Sequence, residues 1–185
     1  MLSVLQNIKL RLLFKLKKVK YSDFPILNGI VVFKIGGTLS LGREVKVNSG
    51  YAFNPVGNRN QSGIYVLKGA SLIIGNNVGI SNSLIHCKES ITLEDNVMIG
   101  GGCHILDNDF HPLNYEKRIK GGNSEAKSKP IVIRKGAFIG LNSILLKGTH
   151  IGEKSIIAGG SVVSGVIPNG EIWGGNPAKF IKKIE

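Results

Sequence analysis

The chain has 185 residues, 42 % of them hydrophobic and 19 % charged, which suits one domain with a real core and leaves too little for two domains and a linker. Its two cysteines, Cys87 and Cys103, form no disulfide framework, and no run reaches the roughly 20 apolar residues of a membrane span, so a reduced cytoplasmic protein is expected. The net charge of +12 would suit nucleic acid. However, six of the 24 basic residues fall in the first twenty positions, which hold no acid, so a local role for that segment is expected and no nucleic-acid partner.

Residues 1–22 form the first predicted element, a basic amphipathic helix. At about 100° per residue, Leu2, Leu5, Ile8, Leu12, Leu13, Leu16 and Val19 share one face, with Arg11, Lys15 and Lys18 opposite and Lys9 and Lys20 intruding on the apolar side. No small-residue cleavage site marks a signal peptide. Two uses fit: packing on the domain or an oligomer neighbour, or peripheral docking of residues 1–20 on the anionic inner face of a membrane.

Residues 23–185 read as one domain. Beyond residue 30 the helical period gives way to a period of six. Aliphatic residues recur at Ile133, Ile139, Leu145, Ile151, Ile157 and Val163, and the position four later is small in five of six cases: Ala137, Ser143, Thr149, Ser155 and Ser161. The spacing recurs at Leu93, Ile99 and Ile105, and at Ile35, Leu41, Val47 and Phe53. Repetition of this length predicts a solenoid in which each hexad is a short strand and a turn, an aliphatic side chain fills the interior, and stacked strands satisfy one another's backbone groups. The 25 glycines are then corner residues. Two stretches break the period, Asn54 to Gly63 and about Asp107 to Pro130, and long excursions from a compact scaffold are often functional.

The repeats "IGLNSI", "IGEKSI" and "IAGGSV" resemble the hexapeptide-repeat acyltransferases, which implies an all-β, left-handed parallel β-helix of triangular coils, an exception to right-handed crossovers. "SITLEDNVMIGGGCHILDNDFHPLN" and "IPNGEIWGGNPAKFIKKI" resemble the sugar O-acetyltransferase branch, which includes galactoside and maltose acetyltransferases and enzymes acting on capsule or lipopolysaccharide sugars. The resemblance covers roughly Leu67 to Ile184.

In that branch a histidine before proline, where the chain leaves the helix, is the catalytic base, and His111 occupies the matching place. Histidine titrates near neutrality, so it can take a proton from a hydroxyl and return one to a thiolate leaving group. Asp107 and Asp109 could orient His111, bind the acceptor or simply form the turn. Asn82 lies near the family's acceptor-binding asparagine. His104 sits within an unbroken hexad and is assigned to the body of the solenoid; His86 and His150, also inside repeats, are read as satisfied surface or interface residues.

The resemblance further implies acetyl-CoA as co-substrate, in a groove between subunits of a homotrimer, with Gly140, Leu141, Gly159, Ser164, Lys179 and Lys182 at the donor-binding positions. Many relatives carry Thr-Lys where this chain has Ser164-Gly165, which removes one phosphate contact. Trp173 could wall the donor site or cover the solenoid end. The implied reaction is direct transfer from acetyl-CoA to a sugar hydroxyl, without an acyl-enzyme; Cys103 falls at a small interior position, where thiols are inert. Three rivals share the scaffold: N-acetylation of an amino sugar, a zinc enzyme of the γ-carbonic anhydrase kind using His86, His104 and His111, and a non-catalytic binding solenoid. The histidine spacing does not match the zinc family's close pair, so no metal is expected.

Overall fold

The structure, a computed structural model, describes residues 4–56, 61–121 and 125–185, with side chains from Gln6 onward. The chain winds as a left-handed parallel β-helix, and its strands stack into three sheets of seven, eight and six strands. Successive coils superpose their interior residues. On the seven-stranded sheet Leu41, Ile74, Leu93, Ile133, Ile151 and Ile167 lie in register, and on the eight-stranded sheet Leu27, Val47, Ile80, Ile99, Ile139, Ile157 and Trp173 do. The six-stranded sheet contributes Phe33, Ile64, Ile85, Ile105, Leu145 and Val163. From Ile64 onward those interior aliphatics are at most 3 % exposed, so the six-residue period is the period of one continuous core.

The small residues two places before each aliphatic face inward as well. Ser143, Thr149, Ser155 and Ser161 are fully buried, and each hydroxyl donates to a carbonyl at a corner of its own or the next coil, as Ser143 does to Gly140 (2.8 Å) and Ala158 (3.2 Å). A buried hydroxyl is tolerated there because it finds acceptors that the turning backbone leaves open. The coils also approach each other closely at the corners. A Cβ on Gly140 would lie 2.5 Å from the Gly159 amide nitrogen and 2.7 Å from the Ile157 carbonyl oxygen, so this glycine is required by stacking.

Two sequence expectations change here. Phe53, the fourth member of the early hexad series, is 42 % exposed, because the chain turns out of its coil at Gly50 (φ 90°) and re-enters at Gly63; residues 57–60 of that first break lie outside the described residues. The N-terminal helix, α1 (Val4–Leu16), packs with a different face from the one the apolar count selects. Its anchor is Phe14, fully buried against Phe24, Phe33 and Tyr21 at ring separations of 5.2–6.0 Å, with Leu10 packed beside it. Ile8, Leu12 and Leu16 point outward. Leu2, and the side chain of Leu5, lie outside the described residues. An aromatic ring fills the open first coil better than a row of leucines, so shape overrode count.

At the other end the chain reverses in an antiparallel hairpin, Glu171–Gly175 with Ala178–Lys183. Trp173 stacks in register on Ile157, meets Phe180 edge-on, and donates its indole N–H to Glu171 (2.7 Å). It covers the end of the core.

Candidate active site

Three strand ends per coil make three corner columns. The column between the eight- and six-stranded sheets holds Asn82, Gly102, Leu141 and Gly159, joined coil to coil by backbone bonds such as Gly102 N–H to Asn82 C=O (3.1 Å) and Gly160 N–H to Leu141 C=O (2.8 Å). The column between the six- and seven-stranded sheets holds the second excursion, then Lys147, then Ser164. The outer face of the six-stranded sheet spans these two columns, so residues scattered from Asn82 to Ser164 border one surface. Lys179 and Lys182 are exposed on the terminal hairpin, whose Gly175 N–H donates to Ser161 Oγ (3.2 Å) in the first of these columns.

The second excursion leaves the coil after Leu106 and returns at Ile131. Its neck is closed by an Asn108–Ser128 bridge and by backbone bonds from Asp109 to Lys127 (3.0 Å) and from Lys129 to Asp107 (3.0 Å). Within it the one-turn helix α2 (Tyr115–Ile119) is capped by the Asn114 side chain, which accepts from the Lys117 N–H at 3.0 Å. Arg118 on α2 reaches back and donates to the Pro112 and Leu113 carbonyls (3.1 and 2.9 Å), so the helix ties down the segment that carries His111. Residues 122–124 lie outside the described residues.

His111 itself is exposed, between the half-exposed ring of Phe110 and buried Pro112. Phe110 adopts φ 61°, an unfavourable conformation for a bulky residue. Its surroundings hold it there: its N–H donates to Asn108 Oδ1 (3.0 Å), and its ring lies 4.6 Å from that of His86. Asn108 Nδ2 in turn lies 3.0 Å from His86 Nδ1, which must accept and is therefore unprotonated. Burial pushes the His86 pKa down and favours this neutral form, although the Asp107 charge opposes it. Tyr65 also stacks on His86, at 6.2 Å between ring centroids. His86, read from sequence as a satisfied residue of the repeats, is thus one, and it also supports the loop that presents His111.

The two aspartates have separate tasks. Asp107 is fully buried and accepts from the Lys88 (2.7 Å), Glu89 (2.8 Å) and Ser90 (3.0 Å) N–H groups and from Asn108 Nδ2 (3.1 Å). Both its oxygens cap the turn of the preceding coil, which leaves it neither orienting His111 nor open to an acceptor. Asp109 pairs with Lys147 through one oxygen; its other oxygen is buried and has no hydrogen-bond donor among the described residues. The Asp109 carbonyl accepts from the His111 N–H at 2.6 Å.

Asn82 is 3 % exposed with φ 41°. Its Oδ1 accepts from Gly50 N–H (2.7 Å) and its Nδ2 donates to the Asn54 carbonyl (2.6 Å), so the amide that sequence assigned to the acceptor fastens the first excursion. Beside it, His104 corrects another expectation. Its backbone belongs to the solenoid, but its ring is exposed and, with Tyr65 and Asn82, lines a groove of about 300 Å³ on the six-stranded face. The missed signal was alternation: His104 directly precedes inward Ile105, so it must point outward.

Cys87 and Cys103 are buried, and burial raises both thiol pKa values, that of Cys87 to about 12. Among the described residues no three His, Cys, Asp or Glu side chains converge to hold a metal ion.

A family model described as the hexapeptide repeat of succinyl-transferase matches residues 130–164, where the sixfold register is unbroken. Over those residues the chain is similar to the hexapeptide-repeat family. It is 31 % identical to the galactoside O-acetyltransferase of Escherichia coli over 122 residues, 65 % of this chain and 58 % of that one. It is 28 % identical to the mitochondrial gamma carbonic anhydrase 2 of Arabidopsis thaliana over 134 residues, 65 % of this chain and 48 % of that one. A hexapeptide-repeat-containing acetyltransferase of Vibrio cholerae superposes with a TM-score of 0.57 at 30 % identity, over 62 % of this chain and 63 % of that one. The same protein complexed with acetyl coenzyme A superposes with a TM-score of 0.63 at 21 % identity, over 99 % of this chain and 80 % of that one. The chain spans about half the length of the curated relatives it matches.

Proposed function

We propose that this chain is an acetyl-CoA-dependent O-acetyltransferase acting on a sugar hydroxyl in surface polysaccharide synthesis, as a cytoplasmic homotrimer. The observation that carries the reading is His111, set before Pro112 on a neck braced by His86, Asn108, Phe110 and Arg118, and exposed beside the outer face of the six-stranded sheet. The galactoside O-acetyltransferase and the acetyl coenzyme A complex among the similar proteins support the choice of reaction and donor.

In the proposed step His111 takes the proton of the acceptor hydroxyl as the oxygen attacks the thioester carbonyl. Backbone N–H groups stabilise the tetrahedral oxyanion; its collapse expels the CoA thiolate, which recovers the proton from the His111 imidazolium. Asp109, two residues away, offers a buried carboxylate oxygen with no hydrogen-bond donor among the described residues, which suits a substrate hydroxyl or an imidazolium. The donor lies along the column of Gly140, Leu141 and Gly159, toward Ser164, with Lys179 and Lys182 of the hairpin near its phosphates.

The test is release of CoA thiol with a panel of sugars, the product identified by mass spectrometry. An ester on a sugar hydroxyl, and a fall of roughly 10²–10⁴ in rate for His111→Ala with the oligomer intact, are expected. An amide product on an amino sugar would replace the O-acetyl reading with N-acetylation, and an unchanged rate in His111→Ala would remove the base.

A further inference from the structure

The helix α1 is already clamped to the solenoid by Phe14, so its second apolar face is not needed for folding. That face is Ile8, Leu12 and Leu16, which are 58 %, 56 % and 70 % exposed and, at a spacing of four, form one stripe opposite the anchor. Lys15 borders the stripe on one side and Lys9 on the other, and Lys17, Lys18 and Lys20 follow. The first acid in the chain is Asp23.

The geometry points to an anionic lipid surface as the partner of this face, with the stripe entering the headgroup boundary and the lysines meeting lipid phosphates or carboxylates. Charge decides between this and the obvious rival, a second copy. Pairing two such helices would bring together two segments that are wholly basic, in a chain of net charge +12, whereas an anionic bilayer attracts the same cations. No helix among the described residues is long and apolar enough to cross a membrane, so the contact is peripheral.

Flotation of the full chain with vesicles of phosphatidylcholine, with and without phosphatidylserine, tests it and is independent of catalysis. Wild type is expected to float only with the anionic vesicles, and less at high salt. Replacing Ile8, Leu12 and Leu16 by serine is expected to abolish flotation while the circular dichroism and the mass in solution stay as in wild type. Each of Lys9→Gln, Lys15→Gln and Lys17→Gln should weaken binding about fivefold. The proposal is overturned if wild type stays unbound at low salt, if the triple serine variant floats as well as wild type, or if that variant changes the mass in solution, which would make the face a contact between copies.

Discussion

Replacing Asp107 separates a scaffold carboxylate from one that serves a substrate. In Asp107→Ala three backbone N–H groups, of Lys88, Glu89 and Ser90, lose a buried charged acceptor at once. Hydrogen bonds to a charged group contribute about 1.5–3 kcal/mol each, and with partial relaxation of the turn the loss should come to about 4 kcal/mol. Asp107→Asn should cost nearly as much, because either orientation of the amide aims N–H groups at backbone donors. For a chain of this size that loss lowers the midpoint of thermal unfolding by about 8–16 °C. Circular dichroism melts of both variants, run beside acceptor KM, provide the readout. A melting point within about 2 °C of wild type together with a raised KM would refute the structural assignment and return Asp107 to the acceptor site.

Two further outcomes follow from the core. Cys87 ionises near 9.0 when unfolded, and burial, with the Asp107 charge second, pushes it to about 12 in the fold. The unfolded chain therefore sheds this proton first, so the contribution of Cys87 is full below pH 9 and is lost as pH rises from about 9 to 12. Urea midpoints for wild type should fall more steeply over that range than those for Cys87→Ala, and parallel curves would contradict the shift. Gly140→Ala should destabilise by about 1–3 kcal/mol with no ligand present, because its Cβ would meet the backbone of the next coil 2.5 Å away. Normal denaturant stability with weakened CoA binding would instead make Gly140 a donor contact alone.

The solenoid was legible in the sequence because its determinant is local and repeated: each aliphatic from Ile133 to Val163 meets its equivalent in the neighbouring coil, so one period encodes the whole core. The exit of the chain around Asp107 was legible for the same reason, as a break in that period. Side-chain direction needed only the two-residue alternation of a strand, and that rule, applied to His104, would have put its ring outside. The tasks of Asp107 and Asn82 were not legible. Both carboxylate and amide are spent on backbone 17–32 residues earlier, where the coils lie side by side, and no local pattern distinguishes such an acceptor from one kept for a substrate. Nor did the count of leucines in α1 reveal its orientation. The open first coil, lined by Phe24 and Phe33, received the single ring that fits it, and that choice turned the leucine stripe outward. Sequence by itself determined the repeat, its core and the place where it is interrupted; tertiary structure decided which polar groups are consumed by stacking and which face solvent, because those pairings join residues one coil apart.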